Sequence, residues 1–287
     1  MAIPRLNGVI RALEHGQVAF AAFTPAEVEA AIALGTSEFD GIIFEMEHGP
    51  WDAMALRDCL QYLLNRGSIA KSGSIAPAVT PMVRIPPNGG EMNQWFAKQA
   101  LDLGVYGIIW PHISTVEQAC NAVGACRYPR LKSMPLYEPL GLRGDAPARA
   151  VRYWGLTQKE YYARADVWPL DPNGEILVTL MMEDTRGIAN LDDILKKVPG
   201  IGMVLFGPGD LSQELGVAGQ YEHPSVLKLK AYVVETCAKY KVAVGHPNVD
   251  SSNVEQFINE GFNFILPQLT RNFAVLEKGR QLAGRTW

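Results

Sequence analysis

Met203-Val204-Leu205-Phe206-Gly207-Pro208-Gly209-Asp210-Leu211-Ser212 is a short apolar run that breaks into a glycine-rich turn and ends on a carboxylate. Upstream, Ile176-Leu177-Val178-Thr179-Leu180-Met181-Met182-Glu183-Asp184-Thr185 follows the same plan. An unbroken apolar run bounded by turn residues reads as a strand buried on both faces, as in parallel sheets covered by helices. Each strand then delivers one acid, Glu183 or Asp210, to its carboxyl end. Taken singly, each has an ordinary explanation: Asp210 as a helix cap, Glu183 as a surface residue. As a pair beside a glycine-rich turn they suit a hard divalent cation with an oxygen-rich shell. The turn leaves backbone N–H groups unobstructed where a helix pattern begins, so a small carboxylate or phosphate can dock there.

Working outward, the same alternation fills the chain. Strands are predicted at Gln17–Phe23, Phe39–Phe44, Thr80–Ile85, Val105–Trp110, Ile176–Met182, Met203–Phe206, Val242–Gly245 and Phe262–Leu266. Helix patterns are read at Arg5–Glu14, from Ala26 to a stop at Gly35, and at Asp52–Asn65, Glu91–Leu103, Thr115–Cys126, Leu191–Val198, Val226–Tyr240, Val254–Glu260 and Ala274–Leu282. Gly67–Ala78 is rich in Ser, Gly and Ala and reads as a loop insertion. Tyr128–Asn173 breaks the rhythm, with one helix-like piece at Gln158–Arg164; an irregular stretch this long reads as a functional excursion. Eight strand–helix units imply a parallel sheet with right-handed crossovers, which closes into a (β/α)8 barrel. The expectation is one α/β domain over residues 1–287, with lengthened loops at about 67–78 and 131–173.

Of 287 residues, 48% are hydrophobic and 20% charged, ordinary for a globular chain of this class. The net charge of -4, with no Lys/Arg run, favours neither nucleic acid nor an anionic membrane. The N-terminus has no signal-like apolar core, and no run approaches the roughly 20 apolar residues of a spanning helix. Cys59, Cys120, Cys126 and Cys237 lack paired spacing and read as free thiols in a reducing cytoplasm.

Glu45, Glu47, His48, Arg84, His112, Glu183, Asp210 and His246 all fall just after predicted strands, which in a barrel gathers them around one mouth. Mg²⁺ or Mn²⁺ is the default cation for Glu183 and Asp210, with Co²⁺ or Zn²⁺ able to substitute. Arg84, flanked by Pro81, Pro86 and Pro87, can hold a keto or carboxylate oxygen in a charge-assisted contact. A carboxylate at Glu45 or Glu47 can orient the His48 ring for proton transfer. His15 and His223 read as solvated, whereas His112 and His246 can equally be packed histidines at strand ends. There is no nucleophile elbow, Walker A motif or GxGxxG. Lys98, Lys132 and Lys159 are not at strand ends, which argues against a Schiff base. Tyr137, Tyr153, Trp154, Tyr161, Tyr162 and Trp168 either line an apolar pocket or pack the excursion.

Six motifs occur in order: Glu47-His48-Gly49-Pro50, Val83-Arg84-Ile85-Pro86, Leu101-Asp102-Leu103-Gly104, Arg127-Tyr128-Pro129, Gly141-Leu142-Arg143-Gly144 and Gly207-Pro208-Gly209-Asp210-Leu211-Ser212. Together they resemble the HpcH/HpaI family of metal-dependent class II pyruvate aldolases, from about Phe20 to the C-terminus. The resemblance implies a lyase that reversibly cleaves a 4-hydroxy-2-oxo acid to pyruvate and an aldehyde through a metal-bound pyruvate enolate. It further implies a homo-oligomer, a hexamer or other dimer-based assembly, with the last helix often exchanged between partners. By position, Glu183 and Asp210 would bind the metal, Arg84 the pyruvate carbonyl, and the Gly209 and Asp210 N–H groups its carboxylate. His48 would be the base acting through water, and Asp102 an acid able to reach a neighbouring subunit's site.

Three positions depart from the family pattern. Glu45 stands where Asp is usual, Met181 where Gln usually precedes the metal glutamate, and the loops at 67–78 and 131–139 are long. Two rival readings accompany the aldolase. One is an acyl-CoA lyase or enolpyruvate-using synthase on the same barrel, for which Arg127, Arg130, Lys132, Arg143 and Arg149 would supply the cationic patch. The other is a non-catalytic metal or keto-acid binding protein.

Overall fold

Each of the eight apolar runs folds as a strand, and every pairing is parallel. The computed structural model describes residues 3–86, 92, 94–267 and 274–285. The strands are β1 Ala19–Thr24, β2 Gly41–Glu45, β3 Thr80–Arg84, β4 Gly107–Trp110, β5 Val167–Trp168, β6 Ile176–Met182, β7 Met203–Phe206, β8 Ala243–Val249 and β9 Phe264–Pro267. The order β4-β3-β2-β1-β9-β8-β7-β6 closes on itself where β4 pairs with β6, giving a (β/α)8 barrel. The two-residue β5, which the sequence did not suggest, joins the foot of β6 through Val167↔Ile176 and Trp168↔Leu177, below the start of the β6–β7 ladder at Thr179.

The helices are α1 Gly8–Glu14, α2 Val28–Leu34, α3 Ala53–Leu63, α4 Arg66–Ser72, α5 Gln94–Leu103, α6 Val116–Ala125, α7 Ala148–Trp154, α8 Gln158–Tyr162, α9 Thr185–Lys197, α10 Pro208–Glu214, α11 Pro224–Tyr240, α12 Val254–Glu260 and α13 Ala274–Leu282. Strand alternation sorts the core into two layers. Ile42 and Phe44 join the layer between sheet and helices. Ile43, Met82, Ile109, Leu177, Met203, Leu205 and Phe264 fill the barrel interior. Val9, Ile10 and Ala12 of α1 pack against that interior set and close the amino-terminal end. Asn7 caps α1 and anchors it, donating from Nδ2 to the Tyr106 and Glu175 carbonyls at 3.1 Å each. The buried Glu175 carboxylate accepts the Leu6 and Asn7 N–H groups at 3.0 and 2.9 Å and pairs with Arg164.

Helix boundaries differ from the sequence reading where capping outweighed composition. Part of the expected loop at 67–78 is α4, because Asn65 accepts the Ser68 N–H and Gly73 ends the turn with left-handed backbone. The helix after β6 starts at Thr185, not Leu191: Asp184 caps it by accepting the Gly187 N–H at 2.6 Å. The glycine that looks like a breaker is required, since a Cβ there would stand 2.6 Å from the Ile113 carbonyl oxygen. Pro87 and the helix start expected at Glu91 lie outside the described residues. The excursion holds α7 and α8 and is stapled by the buried Arg127, which donates to Asp166 at 2.6 Å and to the Pro139 and Leu136 carbonyls. Tyr153, Trp154 and Tyr161 are buried packing residues, with Trp154 stacked on Tyr106.

Candidate active site

β2 and β3 end side by side, and their last residues, Glu45 and Arg84, are register partners. Residues in register on neighbouring strands point to the same face, so a carboxylate and a guanidinium placed there must meet. Arg84 is gripped twice: by Glu45 from Nε at 2.6 Å, and by Glu47, whose Oε2 stands 2.9 Å from Nη1. The guanidinium lies over the Phe23 ring, and Nη1 also approaches Met181 Sδ at 3.8 Å. The other Glu45 oxygen accepts the backbone N–H groups of Glu47 and His48 at 2.9 and 3.1 Å. Glu45 therefore shapes the loop and holds Arg84; it does not orient the His48 ring, as expected from sequence. That ring is largely exposed at the rim, 3.6 Å from Glu47 Oε2.

A second group forms where β4, β6 and β7 end. Glu183 is buried, and its Oε1 accepts the His112 backbone N–H at 2.6 Å. His112 has left-handed backbone (φ 51°), a conformation that costs a non-glycine residue roughly 1–2 kcal/mol. Its ring stands among three acids: Nδ1 is 3.6 Å from Glu183, and Nε2 is 3.8 Å from Glu47 and 3.4 Å from Asp210. Gly207 makes room for the buried glutamate, since a Cβ there would stand 2.6 Å from Glu183 Cβ. Gly209 and Asp210 occupy the first turn of α10, where backbone N–H groups have no partner within the helix. Asp210 is thus a first-turn residue, while Gly207 holds the cap position.

Burial governs the charge states. It pushes the Glu183 carboxyl up to about 7, reinforced by Glu47 and Asp210 and opposed by His112. Glu47 is raised as well, chiefly by burial, against the pull of Arg84. Its Oε2 accepts no aligned hydrogen bond despite the nearby guanidinium. The mouth is a cavity of about 400 Å³ lined by Phe23, His48, Arg84, Met181, Glu183, the Gly207–Asp210 turn, Asn248 and Leu266. A larger cavity of about 830 Å³ opens under the excursion beside Tyr128, Arg130, Leu131, Arg143 and Tyr162. It collects none of the strand-end residues, whereas His48, Arg84, Glu183 and Asp210 line the smaller space.

The structure brings together Glu45, His48, Arg84, Glu183, Gly209 and Asp210 from the sequence reading. It does not bring Asp102 to them: that side chain, on α5, pairs with Lys98 at 2.8 Å and Arg143 at 3.2 Å. His246 is a packed residue, stacked on Phe257 at 3.9 Å and held by burial down at about 4. His15 is exposed, whereas His223 caps α11 by accepting the Ser225 N–H. Sequence reasoning underweighted Glu47 and His112, which with Glu183 offer ligand atoms within 4.8 Å of one another. The available signal was that both follow strands at the same end as Glu183. Cys59, Cys126 and Cys237 are buried free thiols and Cys120 is half-buried. Among the described residues, no helix is long and apolar enough to cross a membrane.

Fold and mouth together define a (β/α)8-barrel enzyme. More particularly, the chain belongs to the HpcH/HpaI aldolase/citrate lyase family, whose model matches residues 20–268, and it is a carbon–carbon lyase. It is 29% identical over 261 residues to a hydroxypyruvate/pyruvate aldolase of Roseobacter denitrificans, covering 91% of this chain and 90% of that one. A 2-keto-3-deoxy-L-rhamnonate aldolase of Klebsiella pneumoniae is 31% identical, with coverage of 80% and 74%. Among solved structures, an HpcH/HpaI aldolase/citrate lyase family protein from Burkholderia cenocepacia superposes with a TM-score of 0.74 at 26% identity, covering 96% of this chain and 97% of that one.

Proposed function

We propose that this enzyme is a divalent-cation-dependent aldolase that reversibly cleaves a 4-hydroxy-2-oxo acid to pyruvate and an aldehyde. The observation that carries the reading is the gathering of Glu47, Glu183 and Asp210 around the His112 ring, beside a guanidinium fixed by two carboxylates. The relatives named as hydroxypyruvate/pyruvate and keto-deoxy sugar acid aldolases support the same class of substrate. The donor set fits a divalent cation. Two buried glutamates, both pushed toward protonation by burial, and one unsatisfied Glu47 oxygen are what a cation would relieve. Glu183 and Asp210 are the acids assigned to hold Mg²⁺ or Mn²⁺, with Glu47 near enough to join them. Such a cation, when bound, polarises the 2-oxo group and favours negative charge developing beside it.

The protein's own groups do the rest. Arg84 holds the 2-oxo oxygen, its guanidinium unable to swing away because Glu45 and Glu47 grip it. The free N–H groups of Gly209 and Asp210 take the substrate carboxylate at the open first turn of α10. His48 at the rim draws the C4 hydroxyl proton through one water. As the C3–C4 bond breaks, its electron pair passes to C3 and the 2-oxo group, and C4 leaves as the aldehyde. The enolate is then protonated at C3 by the proton that His48 took up, returned through water, to give pyruvate and restore the base. Met181 beside Arg84 adds no hydrogen-bond donor, so the oxo oxygen relies on Arg84 more heavily. A dimer-based homo-oligomer belongs to the same proposal; the exposed Leu131, Met134, Leu140 and Leu142 of the excursion offer an apolar surface for it.

The test is pyruvate release from a panel of 4-hydroxy-2-oxo acids with Mg²⁺ or Mn²⁺, and again after EDTA, for wild type, Glu183→Gln and Arg84→Ala. Cation-dependent release lost in both variants is the expected result. Release that survives EDTA would overturn the cation assignment. The absence of both release and deuterium exchange into the pyruvate methyl group would overturn the aldolase reading.

A further inference from the structure

We propose that His112 is a nitrogen ligand to the divalent cation and tilts the site's preference from Mg²⁺ toward borderline cations such as Co²⁺ and Zn²⁺. The inference rests on the cation-dependent reading above and concerns a residue to which that reading gives no chemical role. Three observations converge on it. First, the ring is ringed by acids from three other loops, with separations of 3.4 to 3.8 Å to Glu47, Glu183 and Asp210. Glu47 and Asp210 face Nε2 and Glu183 faces Nδ1, and one nitrogen lies with a Glu47 and a Glu183 oxygen in a set whose members are within 4.8 Å of one another, wider than the roughly 3.0–3.5 Å between ligands that share one ion at bonds of about 2.1 Å.

Second, neither ring nitrogen makes an aligned hydrogen bond among the described residues; only the backbone N–H of His112 donates, to Glu183. An imidazole surrounded by three carboxylates and bonded to none has donor capacity to spare. Third, the residue is held in left-handed backbone while its N–H clamps Glu183 at 2.6 Å, so the main chain fixes ring and carboxylate as one unit. Glu47 supplies an independent pointer, since its side chain is only 8% exposed and its Oε2 accepts no aligned hydrogen bond. An all-oxygen shell suits Mg²⁺, and one neutral imidazole moves the set toward cations higher in the Irving–Williams order.

The experiment uses the full chain and His112→Asn. Asn tolerates left-handed backbone and is close to His in size, but has no imidazole nitrogen. Wild type loaded with Mn²⁺ should show directly coordinated nitrogen in its electron spin-echo modulation. That pattern should change when histidine alone is labelled with ¹⁵N, a readout that needs no variant. In His112→Asn the nitrogen signal should vanish. Its Co²⁺ dissociation constant should rise by about tenfold or more while that of Mg²⁺ moves less than about threefold. A wild-type signal without nitrogen, a signal that persists in His112→Asn, or parallel losses of Co²⁺ and Mg²⁺ affinity would each overturn the assignment. Wild type that binds no divalent cation at all would overturn the underlying cation reading instead.

Discussion

Glu45 and Arg84 face each other in register across β2 and β3, and the guanidinium Nε lies 2.6 Å from a Glu45 oxygen whose twin accepts two loop N–H groups. One carboxylate thus fixes both the guanidinium proposed to meet the substrate and the loop that carries His48. Glu45→Gln keeps the loop contacts and weakens the grip on Arg84. The expected result is a fall in kcat of about 10- to 100-fold with little change in folding stability. Arg84→Lys should cost more, about 100-fold or greater in kcat/KM, because a point ammonium cannot bridge two carboxylates and still face the substrate. Steady-state pyruvate release checks both.

Glu183 links function to stability through its proton. Its folded-state value of about 7 lies above the ordinary 4.5, so the fold favours the protonated acid. That contribution is complete below pH 4.5 and is lost as pH rises through about 7. Metal-free protein should therefore lose up to about 3 kcal/mol between pH 5 and pH 8, and Glu183→Gln should flatten that slope. Urea unfolding in EDTA at the two pH values measures it. Added Mg²⁺ or Mn²⁺ should restore wild type at pH 8 and leave the variant unchanged.

The two glycines of the turn separate packing from binding. A Cβ on Gly207 collides with Glu183, so Gly207→Ala should destabilise by about 1–3 kcal/mol and weaken cation binding. A Cβ on Gly209 meets nothing within 4 Å. Gly209→Ala should leave stability within about 0.5 kcal/mol, while its methyl, standing in the cavity, raises KM for the oxo acid several-fold. Thermal melts and initial rates on the two proteins decide it.

What was legible in the sequence was whatever local pattern dictates. The unbroken apolar runs at Ile42–Phe44, Ile176–Met182 and Met203–Phe206 had no stable place except between barrel interior and helices, so the barrel and its strand-end acids could be read directly. Long-range geometry could not. Glu47 and His112 lie 65 positions apart in the chain and meet only because β2, β3 and β4 adjoin in the barrel. The early start of α9 was hidden because its first turn holds Gly187, which a neighbouring carbonyl demands, and its cap is the Asp184 side chain. Asp102 was assigned by resemblance to a neighbouring subunit's site, and within one chain its partners are Lys98 and Arg143.

His246 gives a prediction apart from the chemistry. Burial against Phe257 and Phe262 holds it down at about 4, below the ordinary 6.5, so the fold favours the neutral ring. The associated stability is complete above pH 6.5 and disappears as pH falls through about 4, an acid loss of roughly 3 kcal/mol. His246→Phe keeps the aromatic packing and should remove most of that loss, read from denaturant midpoints between pH 7 and pH 4.

The seal at the amino-terminal end, where α1 packs into the barrel and Asn7 and Glu175 tie it down, leaves guests of the described mouth to come and go at the carboxyl end. Whatever is seated deepest must enter first and depart last. For the proposed reaction, cation, then keto acid, then aldehyde is the order in which no guest has to pass another. Cleavage should accordingly release the aldehyde before pyruvate. In product-inhibition kinetics, pyruvate should compete with the oxo acid while the aldehyde inhibits noncompetitively.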